Sequence, residues 1–163
     1  FVYGLNLNLR FKRLSISMLF NGVHGNDIAN GNLLTIGNAT GQFQNVLSDA
    51  YYNAWRPDAP SNVHPRIGYN TVGDTAITDR IIEDGSFLRL NNLTIGFDFP
   101  VEKSKLFDRL NVFVMAQNLF TWTDYSGYNP EISSFSYDGL RNGVDWNGSP
   151  DAKNLSMGIN INF

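Results

Sequence analysis

The chain has 163 residues, with 15 acidic and 12 basic side chains, no cysteine and a formal net charge of −3 at pH 7. The absence of cysteine excludes a disulfide framework and a thiolate metal centre, and the acidic balance argues against nucleic-acid binding as the main task. No run of about 18 apolar residues occurs, which excludes a membrane-spanning helix, but the mean hydropathy of −0.22 leaves a β-barrel open because barrel strands carry polar residues at every second position.

Over residues 1–11, Phe1, Tyr3, Leu5, Leu7, Leu9 and Phe11 alternate with Val2, Gly4, Asn6, Asn8 and Arg10, the period of a strand with one apolar face. Past Lys12-Arg13 the alternation resumes in the other register, with Leu14, Ile16, Met18 and Phe20 apolar. Two such runs separated by two residues predict a tight hairpin, although Lys-Arg lacks the usual Gly or Asn. Residues 21–86 are rich in Asn, Gly, Asp and Pro and read as a long loop holding one or two strand pieces, with Tyr51, Tyr52, Trp55 and Tyr69 along it. A third strand is predicted over 87–99, with Leu93, Ile95, Phe97 and Phe99 on one face and Pro100 as its stop. Residues 101–109 form a short polar turn. The fourth strand, 110–122, alternates less cleanly, because Val112, Val114 and Ala116 compete with Phe113 and Met115; the even set is expected on the apolar face. Residues 123–151 are again a long loop. In the last strand, 155–163, Leu155, Met157, Ile159, Ile161 and Phe163 alternate with Ser156, Gly158, Asn160 and Asn162.

Strands of about 9–11 residues, tilted, cross a bilayer core with lipid on the apolar face and a wet lumen on the other. Turns after the first and third strands are short and those after the second and fourth long, the asymmetry of barrels with short periplasmic turns and long outer loops. Phe11, Phe97, Phe99 and Phe163 then gather at the periplasmic ends and Phe1, Tyr3, Phe20 and Trp122 near the outer ends, as two interfacial girdles. The expected fold is an all-β, antiparallel transmembrane β-barrel. Five strands cannot close, since the smallest barrels use about eight and an open edge in lipid leaves backbone groups unpaired. Residues 1–163 are therefore expected to be the C-terminal portion of a larger barrel. The terminal run ending in Phe163 resembles the C-terminal assembly signal of Gram-negative outer-membrane barrels, which assigns Leu155, Met157, Ile159, Ile161 and Phe163 to that signal.

Two segments carry a closer resemblance. Glu83-Asp84-Gly85-Ser86-Phe87-Leu88-Arg89-Leu90-Asn91-Asn92-Leu93-Thr94-Ile95-Gly96-Phe97 resembles a characteristic strand of the SusC/RagA-like TonB-dependent outer-membrane transporters, the starch-utilisation type. Gln117-Asn118-Leu119-Phe120-Thr121-Trp122-Thr123, followed by Tyr125-Ser126-Gly127-Tyr128-Asn129-Pro130-Glu131, resembles a second motif of the same family. Asn129 stands where that motif has Asp, a departure that removes a carboxylate. The resemblance implies a barrel of about 22 strands with an N-terminal plug. It also implies a SusD-like surface lipoprotein as lid, energy delivered through TonB, the barrel assembly machinery and membrane lipid as partners, and an oligosaccharide or peptide as cargo. Localisation would be the outer membrane of a Gram-negative bacterium, with no enzymatic activity and no cofactor.

Catalytic chemistry has little to stand on. His24 and His64, the only histidines, are forty residues apart in the chain and read as ordinary loop side chains. Glu83 and Asp84, adjacent on an extended strand, face opposite ways, unlike a glycosidase pair. Asp138, Asp145 and Asp151 lack the close spacing of a Ca²⁺ loop. The aromatics of the long loops are the better candidates: Tyr51, Tyr52, Trp55, Tyr125, Tyr128 and Trp146 are expected to contact substrate at the mouth, as planar platforms with polar edges. Two other readings compete with the importer: a non-transporting binding or adhesion barrel, and a soluble carbohydrate-binding β-sandwich.

Overall fold

A computed structural model describes residues 1–37, 45–68, 78–101, 106–131, 133–135, 137–138 and 142–163. Tyr69 and residues 102–105 of the turn expected at 101–109 lie outside the described residues. The chain divides into two compact units, one made of Phe1–His24, Ser86–Asp124 and Asp151–Phe163, the other of Gly25–Gly85 and Tyr125–Pro150.

The first unit is a five-stranded antiparallel sheet. Its strands are β1 (Val2–Phe11), β2 (Leu14–Val23), β5 (Phe87–Phe99), β6 (Arg109–Thr123) and β8 (Asn154–Asn162), and they are neighbours in that order. The five predicted strands are all present, each within a few residues of its expected bounds. Phe11 pairs with Leu14, so Lys12-Arg13 is the whole hairpin turn. Without Gly or Asn there, Lys12 itself takes a left-handed φ of 55°.

Register assigns the faces. Leu9, Ile16, Ile95, Val114 and Met157 are successive cross-strand neighbours from β1 to β8, and Leu7, Met18, Leu93, Ala116 and Leu155 form the next row. The even residues of β6 thus share one face with Leu155, Met157 and Ile159, as expected. In β5 the parity that faces this side changes partway along. The ladders shift register between Leu90 and Asn92 and between Leu19 and Phe20, and Asn118 adopts a φ of 53°. An extra residue reverses which parity faces which side. Past the bulge it is Leu88 and Leu90, not odd-numbered residues, that pair with Trp122 and Phe120.

This face is apolar and largely open, with Met157 80% exposed and Ile159 63%, while Ala116 and Leu90 on the middle strands are buried. The other face carries Asn6, Asn8, Ser15, Ser17, Asn92, Thr94, Asn111 and Gln117 in matching register. At the hairpin end of that polar face, Asp98 accepts from Arg109, Asn111 and Arg10, each at 3.0 Å. At the opposite end of the sheet, on the apolar face, Tyr3 lies across Gly22, where a Cβ would collide with the Tyr3 ring, and donates to the Phe87 carbonyl at 3.0 Å. A side chain at position 22 would displace the ring and break this link between β1 and β5. Arg89 is almost fully buried, donating to Thr121 Oγ1 at 3.0 Å and pairing with Asp151 at 2.8 Å.

Candidate functional site

The long loops expected at 21–86 and 123–151 are not loose connections. They build the second unit, around a small sheet in which β3 (Asp27–Asn30) pairs antiparallel with β4 (Ile82–Asp84) and parallel with β7 (Val144–Asp145). Two short helices join it, α1 (Asn32–Ile36) and α2 (Ser48–Tyr52). Ile28, Ile81, Ala50 and Ala54 are buried, each at most 3% exposed.

Polar groups tie this unit together. Glu83 accepts from Asn30 Nδ2 at 3.0 Å and from both the backbone N–H and the hydroxyl of Ser126 at 2.8 Å. Asp145, 1% exposed, accepts from the Tyr125 hydroxyl at 2.6 Å and from the Gly148 N–H at 3.1 Å. Burial, and then the Asp145 hydrogen bond, push the Tyr125 hydroxyl far above the ordinary tyrosine value of 10.0. Apart from the local Gly148 contact, nothing in the linear sequence signals these partnerships, whose members stand 20 to 53 residues apart. Asp145 and Asp151, weighed above as cation ligands, have separate partners in Tyr125 and Arg89. Among the described residues, no group of three His, Asp or Glu is placed to hold a metal.

The candidate aromatics fall into two kinds. Ala50 and Ala54, four residues apart, take the buried side at α2 and leave Tyr51, Tyr52 and Trp55 outward, 53%, 69% and 36% exposed. The Tyr51 and Tyr52 rings meet edge to face at 5.3 Å. Asp49 fixes this segment, accepting from Asn53 and contacting His64 Nε2 at 2.9 Å, while the Trp55 N–H donates to the His64 carbonyl at 3.2 Å. Tyr128 is 73% exposed; Trp146 is half-exposed, one ring edge against Gly31, where a Cβ would lie 2.2 Å from Cε3. Tyr125 differs from the other five. It is 5% exposed and its hydroxyl is held by Asp145, so it organises the unit from within and presents no open face to a ligand.

An antiparallel sheet with one continuous, largely open apolar face, a hydrogen-bonded polar face and aromatics near both ends is the wall of a transmembrane β-barrel. Known proteins carry the assignment further. No protein-family model matches the chain. TonB-dependent receptor P3 of Formosa agariphila is 32% identical over 100% of this chain and 16% of its own length. The TonB-dependent receptor SusC of Bacteroides thetaiotaomicron is 30% identical over 60% of this chain and 9% of its own. Among solved structures, the RagAB peptide importer in its open-open state matches 99% of this chain and 17% of the importer chain, with a TM-score of 0.81 and 27% identity. The chain is thus homologous, in sequence and fold, to a segment of the SusC/RagA-type TonB-dependent receptors, and it spans about a sixth of the length of the relatives it matches. These relatives are receptors and transporters rather than enzymes.

Proposed function

We propose that the chain is the C-terminal part of the barrel wall and outer mouth of an active outer-membrane importer for oligosaccharides or peptides. In this reading the protein works with a SusD-like surface lipoprotein and is energised through TonB. The observation that carries it is the match of the whole chain to TonB-dependent receptors, in a sheet whose two faces suit lipid and lumen. Deleting the gene should abolish uptake of one fluorescent oligosaccharide or peptide class, with the lipoprotein co-purifying with the tagged transporter. Unchanged uptake of every class would reject the importer reading.

The second unit forms the mouth in this proposal, because loops at the rim supply ligand and docking contacts without disturbing the hydrogen-bonded wall. Tyr51, Tyr52, Trp55, Tyr128 and Trp146 are its substrate platforms. Replacing Trp55 and Tyr52 together by Ala should weaken cargo binding by about tenfold, on the scale of an aromatic contact or two, with barrel abundance unchanged. Binding titrations on purified transporter would check this, and unaltered affinity would remove these residues from the site.

Orientation has its own test. A cysteine introduced at Asp58 should react with an impermeant maleimide on intact cells, whereas one at Asp108, beside the short turn, should react only after the outer membrane is opened. The reverse pattern would invert the topology.

A further inference from the structure

We propose that Asn147-Gly148 is a self-modification site, whose conversion to aspartate and isoaspartate the fold holds off through two hydrogen bonds. The reaction consumes water and needs no enzyme. The Gly148 nitrogen, having lost its proton, attacks Asn147 Cγ; the N–Cγ bond forms, the Cγ–Nδ2 bond breaks and ammonia leaves with a proton. Water then opens the resulting succinimide. Hydrolysis at Cγ gives aspartate. Hydrolysis at the main-chain carbonyl of residue 147 gives isoaspartate, in which the backbone runs through the former side chain and is one methylene longer. Gly148 leaves its nitrogen unshielded by a side chain, and Asn147 is exposed, so residue type and position both favour the attack. The reaction depends on this turn alone and is independent of what cargo the protein carries.

The fold opposes this reaction on both sides of residue 147. The Asn147 N–H donates to Asn32 Oδ1 at 2.9 Å, and the Gly148 N–H donates to Asp145 Oδ1 at 3.1 Å. The backbone dihedrals between these two amides are thereby pinned, with φ at 58° in the left-handed region that asparagine adopts more readily than most residues. Cyclisation has to turn the Gly148 nitrogen towards Cγ, which breaks its bond to Asp145. It also has to remove the very proton that Asp145 accepts, and a buried carboxylate beside the nitrogen disfavours the amide anion. Asp145 is itself fixed by the Tyr125 hydroxyl at 2.6 Å. Protection therefore lasts while Asn32 and Asp145 hold the turn and lapses whenever the second unit opens locally. Isoaspartate makes the opening permanent, because a longer backbone cannot restore both bonds. Trp146, whose N–H donates to Ser134 Oγ at 2.6 Å and whose ring lies against Gly31, is the neighbour that the added methylene displaces.

The test is peptide mapping by mass spectrometry of the full-length protein, incubated at mildly alkaline pH in its native state in detergent and, in parallel, unfolded in urea. Fragment ions assign the conversion to residue 147. Native wild type should convert at least about tenfold more slowly than the unfolded protein. Asn32→Ala and Asp145→Ala each remove one acceptor and should each raise the native rate about tenfold, the equilibrium weight of one hydrogen bond. Heat-modifiable mobility shows that each variant is assembled; if Asp145→Ala is not, Asn32→Ala, which leaves the Tyr125–Asp145 bond in place, carries the test alone. Adding Gly148→Ala to Asn32→Ala should slow conversion again, since a methyl group beside the attacking nitrogen hinders it. Native wild type converting as fast as in urea, no acceleration in the assembled variants, or a rate indifferent to Gly148→Ala would each overturn the proposal.

Discussion

Ile159→Arg is expected to destabilise the inserted protein by about 2–4 kcal/mol, while Asn160→Arg, one residue away, leaves it near wild type. Ile159 is the middle of the five alternating apolar residues that end at Phe163, pairs with Val112 on the apolar face and is 63% exposed there. An arginine at that position would be placed in hydrocarbon, with only partial relief from its side chain reaching toward the headgroups. Asn160 pairs with Asn111 on the polar face, where a guanidinium stays hydrated. Urea unfolding in liposomes, or loss of heat-modifiable mobility, separates the two. The contrast reports which face is apolar, and the liposome readout separates lipid from the core of a soluble sandwich, which would also bury one face. In that case, however, the sheet would need a second sheet over Met157 and Ile159, and solvent rather than lipid would meet them when that cover opened. Equal effects of the two substitutions would remove the membrane assignment.

The strands of the wall were legible because a sheet with one apolar face writes its period into the chain, residue by residue. Leu5, Leu7 and Leu9 or Ile159 and Ile161 need no tertiary information to be assigned a face. The reading weakened where the backbone breaks its own period. At Asn91 an extra residue flips parity within β5, and Leu88 and Leu90 looked out of step with Leu93 and Ile95 although register places them on the same face. The second unit was legible only as length and composition. Its strands are 2–4 residues long, too short to show a period, and β3 pairs with β7 across more than a hundred residues of chain. Its helices of five residues carry no amphipathic stripe that a sequence scan could detect. The candidate site suffered in the same way. Tyr125 and Tyr128 sit three residues apart in one motif and look equivalent in sequence, yet one is sealed against Asp145 and the other is open. What separates them is Asp145, twenty residues on, which composition and spacing cannot connect to either.

Removing Asp145 should therefore loosen the second unit more than any change among its exposed aromatics. Asp145→Ala leaves the buried Tyr125 hydroxyl and the Gly148 N–H without their acceptor, and an unpaired buried polar group costs about 1–3 kcal/mol. Tyr125→Phe leaves the carboxylate with fewer donors and should cost a similar amount. The double variant should lose less than the sum of the two, since each single change strands a partner that the double change removes. Protease cleavage within 25–85 of the full-length transporter reports the opening, with barrel stability unchanged as the control. The pair also predicts an alkaline limit. Folding holds Tyr125 in its neutral form beyond the ordinary value of 10.0, so above about pH 10 the opened state releases a proton that the folded state keeps. Stability contributed by this group is complete below that pH and falls as pH rises past it. Wild type should become more protease-sensitive between about pH 10 and 11, relative to its own behaviour at pH 8, and Tyr125→Phe should lack that increment. An identical alkaline slope in both proteins would show that the Tyr125–Asp145 bond does not hold the unit closed.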